Sequence, residues 1–391
     1  MESTFVPEAR ASFVVATKAP RGLPGDRRAK GSRAARPTPT KTWQRADSAG
    51  RFSAFAGAAI ECMSPHPETS ITALDPRLNK GLVSIVIASY GRPEMLARAI
   101  RSALSQSHPD IEVIVSDDPA PTACHDVIRA VNDPRFRFHL QDTRVGCWKN
   151  WTQAVRMARG EYLVFLGDDD WLSPTFVADH FAALRSATGV TASFGRLDEV
   201  HPDGALYRSI TPPFASSKEI PPRRLLEAIL HQQVFFGAAL LDRTLATEVW
   251  METVPDGIVA DHGMLLRLAI ERRISCVGTQ GPIYFKTVHP RQLSAGAGEV
   301  TQLQVELMRR MLEGTRGSPE YPLLARFTAH LTIVLARHHA AQADLATARR
   351  KLLEAVRTAP LLRQGWSQLF QSFFWSSRLI RTSRAQRGMI V

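Results

Sequence analysis

The chain of 391 residues contains four cysteines and no long apolar run. No two cysteines form a C-x-x-C pair, so neither a disulfide framework nor a structural zinc site is expected, and a reducing compartment fits. No apolar stretch approaches the roughly 20 residues that cross a bilayer, and no apolar core near the N-terminus suits a secretory signal. These absences favour a cytoplasmic protein.

Acidic residues are too few to balance the basic ones, and the net charge is +12. The excess is +6 in residues 1–80 and +9 in residues 301–391, whereas residues 81–300 carry −3. Proteins that bind nucleic acid show a basic patch or stripe on the binding domain. The mildly acidic middle therefore argues against nucleic acid as a partner.

Residues 1–80 also lack apolar periodicity and are rich in Ala, Arg, Pro, Ser and Thr. This composition predicts a disordered basic segment. Two other interpretations stay open for residues 1–62: an organellar transit peptide, which has a similar composition, or an upstream extension of a protein that starts near Met63. The helical spacing of Ala, Leu and Arg in 302–360 predicts that 301–391 is a helical basic extension.

From residue 82 onward, strands and helices alternate. The β-branched run Val83–Ser89 suits a buried parallel strand, and Pro93 suits the first turn of a helix. Strands that alternate with helices of this length imply an α/β fold with a mainly parallel sheet. Further strands are predicted at 111–115, 135–140 and 162–166, and a helix is predicted at 148–158.

Three consecutive carboxylates, Asp168, Asp169 and Asp170, follow the strand that ends at Leu166. Adjacent like charges raise one another's pKa unless a cation lies among them. Hard cations such as Mg²⁺ and Mn²⁺ prefer oxygen ligands, so we expect a divalent metal that carries a phosphorylated ligand. The alternative is a solvated acidic turn in which Asp170 caps the following helix.

Two other predicted strands also end in polar residues. Ser89 and Tyr90 follow the first strand, and Asp117 and Asp118 follow the second. In a parallel sheet these ends lie on one edge, where α/β folds bind ligands. Tyr90 could stack on a base and Asp118 could accept the imide N–H of a uracil. Each residue alone is explained as well by a turn or a cap, but their coincidence favours a nucleotide site.

In their order and spacing, several segments resemble family 2 glycosyltransferases, which have the GT-A fold. The resemblance covers about residues 82–295. In the nucleotide-binding half, the segments are 83–90, 111–119, Gly146 to Asn150 and 160–172. Two more lie downstream. The first consists of Ala260-Asp261-His262 and Leu266-Arg267-Leu268, and the second of 284–289 and Ser294.

This resemblance implies a GT-A domain at 81–300, with a nucleotide-binding half at 81–180 and an acceptor half at 181–300. It implies a metal-dependent, inverting transfer of a sugar from a nucleotide-sugar donor, UDP-linked, to a hydroxyl of a glycan or lipid-linked acceptor. Surface polysaccharide synthesis is the expected setting, and Mn²⁺ or Mg²⁺ is the expected cofactor.

The resemblance also implies roles for single residues on the nucleotide side. Ser89, Tyr90 and Asp118 would hold the nucleobase, and Asp168 would lie near the ribose. Gly146 would allow the backbone to approach the donor closely.

On the side of the diphosphate and the acceptor, Asp169 would bind the metal and Asp261 would be the catalytic base. The alternative for Asp261 is the N-cap of the helix predicted at 263–270. His289, together with Lys286, would approach the metal or the leaving diphosphate. Lys149 is a candidate phosphate contact, and the alternative is that it lies in solvent.

Four positions depart from the usual pattern of the family. Gly167 stands where many members have the first Asp of a DxD motif, and Arg144 stands where an Asn is common. Ala260 replaces a Glu. Lys286 replaces an Arg, which keeps the charge but loses bidentate phosphate geometry.

Two further functions stay open at this stage. A nucleotidyltransferase that makes sugar nucleotides uses a similar sheet and metal, but the segment 89–92 has one glycine where that class usually has a Gly-rich phosphate loop. The other is a non-catalytic glycan- or nucleotide-binding relative. The retained Asp168, Asp169, Asp261 and His289 argue against a decayed site.

The C-terminal tail combines apolar and basic residues. Such a segment suits the headgroup region of an anionic membrane, and peripheral contact at the inner face would help an enzyme with a lipid-linked acceptor. The alternative is that the apolar cluster docks on the catalytic domain. The apolar residues are Leu369, Phe370, Phe373, Phe374 and Trp375, and the basic ones are Arg378, Arg381, Arg384 and Arg387.

Overall fold

One sheet of nine strands organises the computed structural model, which describes residues 78–214, 219–253, 257, 259–289 and 297–372. The predictions for residues 1–77, for Ser294 and for the tail from Phe373 onward lie outside these residues. The strands are β1 Asn79–Ser89, β2 Ile111–Asp117, β3 Phe136–Leu140, β4 Gly160–Phe165, β5 Trp171–Leu172, β6 Ala192–Val200, β7 Leu206–Ile210, β8 Ala239–Asp242 and β9 Cys276–Thr287.

The strand order is β3-β2-β1-β4-β8-β6-β9-β5, with β7 paired to β6. The first four strands of this order are parallel to one another, whereas β8 is antiparallel to both β4 and β6. The parallel half contains the strands that the sequence predicts. The expected mainly parallel sheet is therefore confirmed, and the antiparallel pairs belong to its second half.

Helices cover the sheet and continue beyond it. They are α1 Pro93–Leu104, α2 His125–Arg129, α3 Cys147–Met157, α4 Phe176–Arg185, α5 Pro222–Leu230, α6 Arg243–Thr253, α7 Ala260–Ile270, α8 Ala297–Gly314, α9 Tyr321–Ala341, α10 Leu345–Thr358 and α11 Arg363–Ser372. Within the described residues, no helix is both long enough and apolar enough to span a bilayer.

The core lies on both faces of the sheet because successive side chains of a strand point to opposite faces. On β1, Val86 belongs to one buried cluster, and Ile85 and Ile87 belong to the other. Trp151 of α3 packs against Phe165, with ring centroids 5.7 Å apart. Trp151 therefore has a structural role in the core.

The C-terminal helices share this core. Val305 and Met308 of α8 and Leu324 and Leu335 of α9 belong to the same buried cluster as Trp250 of α6. A smaller cluster joins α9 to α10. The helical prediction for the segment after residue 301 is confirmed up to residue 372, and its helices are packed onto the sheet domain rather than separate from it.

A buried histidine makes the stability of this fold depend on pH. His180 of α4 is fully buried, its Nδ1 lies 2.9 Å from Oγ of Ser193, and burial lowers its pKa to about 3. Below pH 6.5 the unfolded chain binds a proton at this residue that the folded chain excludes, so stability is lost as the pH falls. We expect His180 to remove about 2 kcal/mol of unfolding free energy between pH 6.5 and pH 5.

Urea unfolding of the wild type and of His180→Gln at both pH values measures this contribution. The variant should lose about 2 kcal/mol less than the wild type over the interval. Replacing the exposed His201 by Gln is the matched control and should leave the loss unchanged. Equal losses in all three proteins would contradict the assignment.

Candidate active site

Three parallel strands end at the same edge of the sheet, as the sequence predicts. Ser89 at the end of β1 pairs with Asp117 at the end of β2, and Val86 of β1 pairs with Phe165 at the end of β4. The three carboxylates follow β4 at this edge, where α/β folds bind ligands. The candidate active site is built on these strand ends.

Asp168 is buried and is held by the loop that follows β1. The guanidinium of Arg92 donates to both carboxylate oxygens, from Nε to Oδ2 at 3.1 Å and from Nη2 to Oδ1, which is the forked contact that arginine makes with carboxylates. The backbone N–H of Tyr90 donates to Oδ2 at 3.2 Å. Gly91 has φ +67°, a conformation that glycine adopts without steric cost, and it lets the chain turn between these two contacts.

Asp169 is the most accessible of the three carboxylates, with 17% of its side chain exposed. Nη1 of Arg92 donates to its Oδ2 at 2.8 Å, and Nε2 of His289 lies 3.0 Å from the same oxygen. The backbone carbonyl of Asp169 accepts hydrogen bonds from Nη2 of Arg98, at 2.7 Å, and from the hydroxyl of Thr287. Its position is therefore fixed while its carboxylate faces the edge of the site.

Asp170 has a structural role, but not the role of a helix cap. Its Oδ2 accepts from the hydroxyl of Tyr284 at 2.7 Å, and its Oδ1 accepts from the backbone N–H of Thr287 at 2.8 Å. The same tyrosine hydroxyl accepts from the N–H of Gly167 at 3.0 Å. The next helix begins after Thr175, so the capping prediction is wrong, and Asp170 instead joins the acidic turn to β9.

The three carboxylates of the acidic turn have different pKa values because their surroundings differ. Burial raises the pKa of Asp168 to about 6, although Arg92 opposes the shift, and burial with the charge of Asp169 raises the pKa of Asp170 to about 8. Burial also acts on Asp169, but the hydrogen bond from His289 and the charge of Arg92 outweigh it and lower its pKa. Asp169 is therefore the carboxylate that stays ionised most readily.

The residues predicted to hold the nucleobase organise two loops. The hydroxyl of Ser89 donates to Asp117. Asp118 accepts from the backbone N–H groups of Val145 at 2.7 Å and Gly146 at 2.9 Å, which ties the end of β2 to the start of α3. Burial raises the pKa of Asp118. The three predicted positions thus lie together at one edge, and their role toward a base stays a prediction.

Tyr90 exposes 39% of its surface beside this loop. The guanidinium carbon of Arg144 lies 5.0 Å from the centroid of its ring, within the range of a cation–π contact. Gly146 has φ +85° and precedes α3. Lys149 is half-buried in the first turn of that helix. A flat ring and a basic group therefore border the nucleotide side of the site.

Asp261 lies in the first turn of α7, whose N-cap is Val259. The alternative that Asp261 caps this helix is therefore wrong. Its Oδ1 accepts from the backbone N–H of His262 at 2.7 Å, and burial raises its pKa, although the nearby charges of His262 and Lys286 lower it. A carboxylate with a raised pKa is suited to accept a proton during a reaction.

Lys286 lies on β9, between the acidic turn and α7. Its Nζ is 3.8 Å from Oε1 of Glu199 and 5.3 Å from the centroid of the Phe235 ring. Its charge acts on both Asp170 and Asp261. Phe236 packs against the core beside Phe165, with ring centroids 5.3 Å apart, so the aromatic pair at 235–236 is partly core.

Arg92, Tyr284 and Thr287 belong to the site although the sequence alone assigns them no role in it. A signal for Arg92 exists, because three adjacent carboxylates require a cation and Arg92 closely follows β1. Tyr284 and Thr287 lie in the segment 284–289 that resembles the family, but their contacts with Asp170 depend on how β9 is placed in the sheet.

Two neighbouring donors fit a divalent metal. Nε2 of His289 and Oδ2 of Asp169 are 3.0 Å apart, and adjacent ligands of an octahedral ion with bonds of about 2.1 Å lie about 3.0 Å apart. Within the described ranges, no three His, Cys, Asp or Glu side chains are grouped to hold an ion. Mg²⁺ sites commonly take one or two carboxylates and complete the shell with substrate phosphates, so this pair fits an ion that also binds a diphosphate.

Comparisons with known sequences agree with this geometry. The family model for glycosyl transferase family 2 matches residues 84–243. The provisional colanic acid biosynthesis glycosyl transferase WcaA of Escherichia coli K12 is 33% identical over 202 residues, which cover 49% of this chain and 68% of WcaA.

Two further relatives match shorter stretches. The succinoglycan biosynthesis protein ExoO of Rhizobium meliloti is 30% identical over 156 residues, 39% of this chain and 43% of ExoO. The E. coli protein WfaP, a UDP-Glc:α-D-GlcNAc-diphosphoundecaprenol β-1,3-glucosyltransferase, is 32% identical over 102 residues, 26% of this chain and 41% of WfaP. The chain thus spans less than half the length of these two relatives.

The fold also matches solved structures. S. aureus TarS 1–349, solved in complex with UDP, has a TM-score of 0.53 and 17% identity over 79% of this chain and 94% of the TarS chain. The complex of the same protein with UDP-GlcNAc gives a TM-score of 0.56 at 15% identity, over 78% of this chain and 92% of TarS. The expected GT-A fold is confirmed, and the chain belongs to glycosyltransferase family 2.

Proposed function

We propose that this glycosyltransferase moves a sugar from a UDP-linked donor to a hydroxyl of a lipid-linked or surface glycan, with a divalent metal and with inversion at the anomeric carbon. The observation that carries the proposal is the pairing of Asp169 with His289 at the carboxyl edge of the sheet. The half-buried Asp261 is the second carboxylate that the reaction requires.

The proposed donor is supported by the groups that border the nucleotide side. Tyr90 offers a ring for stacking, and the Asp118 carboxylate, already bonded to two backbone N–H groups, has remaining lone pairs for an imide N–H. TarS binds UDP and UDP-GlcNAc, and WfaP uses UDP-Glc. These relatives support UDP as the proposed nucleotide.

The chain's own residues supply acid–base chemistry and positioning. Asp261 takes the proton of the acceptor hydroxyl as its oxygen attacks the anomeric carbon; the bond to the diphosphate breaks, and its electron pair leaves with the diphosphate. Attack from the face opposite the leaving group, with one base, inverts the configuration. Asp169 and His289 would hold the metal, which when bound supplies a Lewis acid for the charge of the leaving diphosphate. Lys286 adds a positive charge beside the base.

The acceptor is proposed from the relatives and not from the site. WfaP acts on a diphosphoundecaprenol-linked sugar, and WcaA and ExoO are named for polysaccharide biosynthesis. A hydroxyl on a lipid-linked glycan intermediate is therefore the proposed nucleophile.

Slow hydrolysis of UDP-sugars in the presence of Mn²⁺ tests the proposed reaction without a known acceptor. We expect Asp261→Asn to lower the rate by roughly 10²- to 10⁴-fold, because the general base is lost. Burial raises the pKa of Asp261. As the pH is lowered, the wild-type rate should therefore begin to fall at a pH above the ordinary aspartate pKa of about 4. Proton NMR of the released sugar should show the inverted anomer first.

Glu271→Gln is the matched control, because it removes one carboxylate from the exposed end of the same helix. Its rate should stay close to that of the wild type. Hydrolysis that survives Asp261→Asn, or retention of configuration, would contradict the role of the base. Formation of pyrophosphate from a sugar phosphate and UTP would point to a nucleotidyltransferase instead.

We also propose that the last described helix contacts an anionic membrane. Leu361 is 97% exposed, and Trp366 and Phe370 are 53% and 68% exposed one turn apart on α11. Residues 345–372 carry five Lys and Arg against one acidic residue, and each basic residue near an anionic surface contributes about 1 kcal/mol. Exposed aromatics in a segment of net positive charge fit the headgroup region.

Sedimentation with vesicles tests this contact. The full-length protein should bind vesicles that contain phosphatidylglycerol and should be released by salt, and Trp366→Ser with Phe370→Ser should weaken binding at least about tenfold. Tyr207→Ser, which changes an exposed aromatic of β7, is the control and should have no effect. Equal binding of all three proteins, or equal binding to neutral vesicles, would contradict a role for α11.

A further inference from the structure

The oxygen of Asp169 that faces His289 already has a cation bound to it. Oδ2 accepts from Nη1 of Arg92 at 2.8 Å and lies 3.0 Å from Nε2 of His289. A metal held by Asp169 and His289 would have to share this oxygen with the guanidinium or displace Nη1 from it. Arg92 and the metal therefore compete for one ligand.

Arg92 is placed so that it can release this oxygen without leaving the site. Its Nε and Nη2 donate to the buried Asp168, and only Nη1 reaches Asp169. The side chain of Asp168 is 3% exposed, against 23% for Arg92 and 17% for Asp169. The forked contact is thus the inner, protected one, and the single hydrogen bond to Asp169 is the outer one.

We propose that the guanidinium of Arg92 supplies a positive charge within the metal site, and that it makes binding of the metal depend on the donor diphosphate. Without a diphosphate, a metal on Asp169 would meet the positive charge of the guanidinium, whose Nη1 is 2.8 Å from Oδ2, and this repulsion is unfavourable in a partly buried site. A diphosphate supplies negative charge for both cations and acceptor oxygens for the released Nη1, and a guanidinium matches phosphate well. Arg92 is then a positioning residue for the leaving group.

This inference rests on the proposed function, since it takes Asp169 and His289 as the metal ligands. The role of Arg92 adds to the proposed function a thermodynamic coupling between binding of the metal and binding of the nucleotide. The coupling is reciprocal, so UDP must strengthen binding of Mn²⁺ by the same factor by which Mn²⁺ strengthens binding of UDP.

Electron paramagnetic resonance of free Mn²⁺, titrated with the full-length protein, measures the coupling without any turnover. In the wild type, UDP should strengthen Mn²⁺ binding at least about tenfold. Without UDP, Arg92→Gln should bind Mn²⁺ at least about tenfold more tightly than the wild type, because the competing cation is gone. The effect of UDP should shrink by a similar factor in this variant.

Arg101→Gln is the matched control. It removes one positive charge from α1, the helix that Arg92 precedes, but Arg101 is exposed and has no part in the site. We expect its Mn²⁺ affinity without UDP to stay within about threefold of the wild type. An equal gain in both variants would mean that general charge, and not the hydrogen bond to Oδ2, sets the affinity, and would overturn the proposal.

Asp169→Asn separates failure of this inference from failure of the proposed function. If Asp169→Asn leaves Mn²⁺ binding in the presence of UDP unchanged, the metal role of Asp169 is wrong. If it weakens that binding while Arg92→Gln leaves the coupling intact, only the role of Arg92 is wrong. Should Arg92→Gln fail to fold, the wild type decides, because Mn²⁺ binding that UDP does not strengthen overturns the proposal.

Discussion

Repulsion among three consecutive carboxylates at one sheet edge is the constraint on which the site depends. Three charges this close cannot all be buried without compensation, and each is compensated differently. Asp168 accepts a forked pair of hydrogen bonds from an arginine, and Asp170 accepts from a tyrosine hydroxyl and a backbone N–H. The partly exposed Asp169 is paired with the same arginine and with a buried histidine. One acidic turn therefore yields one anchored, one structural and one accessible carboxylate.

These partners come from distant parts of the chain, which explains why the topology matters for function. Arg92 follows β1 in the parallel half of the sheet, and Tyr284 and Thr287 lie on β9, which pairs with β5 directly after the acidic turn. The same strand carries Lys286 and ends just before His289. β9 thus links the nucleotide half to α7 and its Asp261, so that the proposed base and metal ligands are held by one connected framework.

Local patterns in the sequence predicted the parallel half of the fold and most of the candidate site. The β-branched run at Val83–Ser89 and the strand before Asp168 can be recognised from the sequence, because buried parallel strands are continuous apolar runs. The pairing of β9 was not predicted, since a strand with half-buried positions has no periodicity that identifies its neighbour. For the same reason no local pattern predicts the partners of Asp170, which lie 114 and 117 residues further along the chain.

We infer that Asp168, Asp169 and Asp170 have different functions in spite of their adjacency. The most direct measurement determines two quantities for the three alanine variants: the affinity for Mn²⁺ in the presence of UDP, and the free energy of unfolding. Asp169→Ala should lose at least about tenfold in affinity and little stability, whereas Asp170→Ala should lose about 2–4 kcal/mol of stability because two buried donors lose their acceptor. Losses of the same kind and size in all three variants would contradict the account.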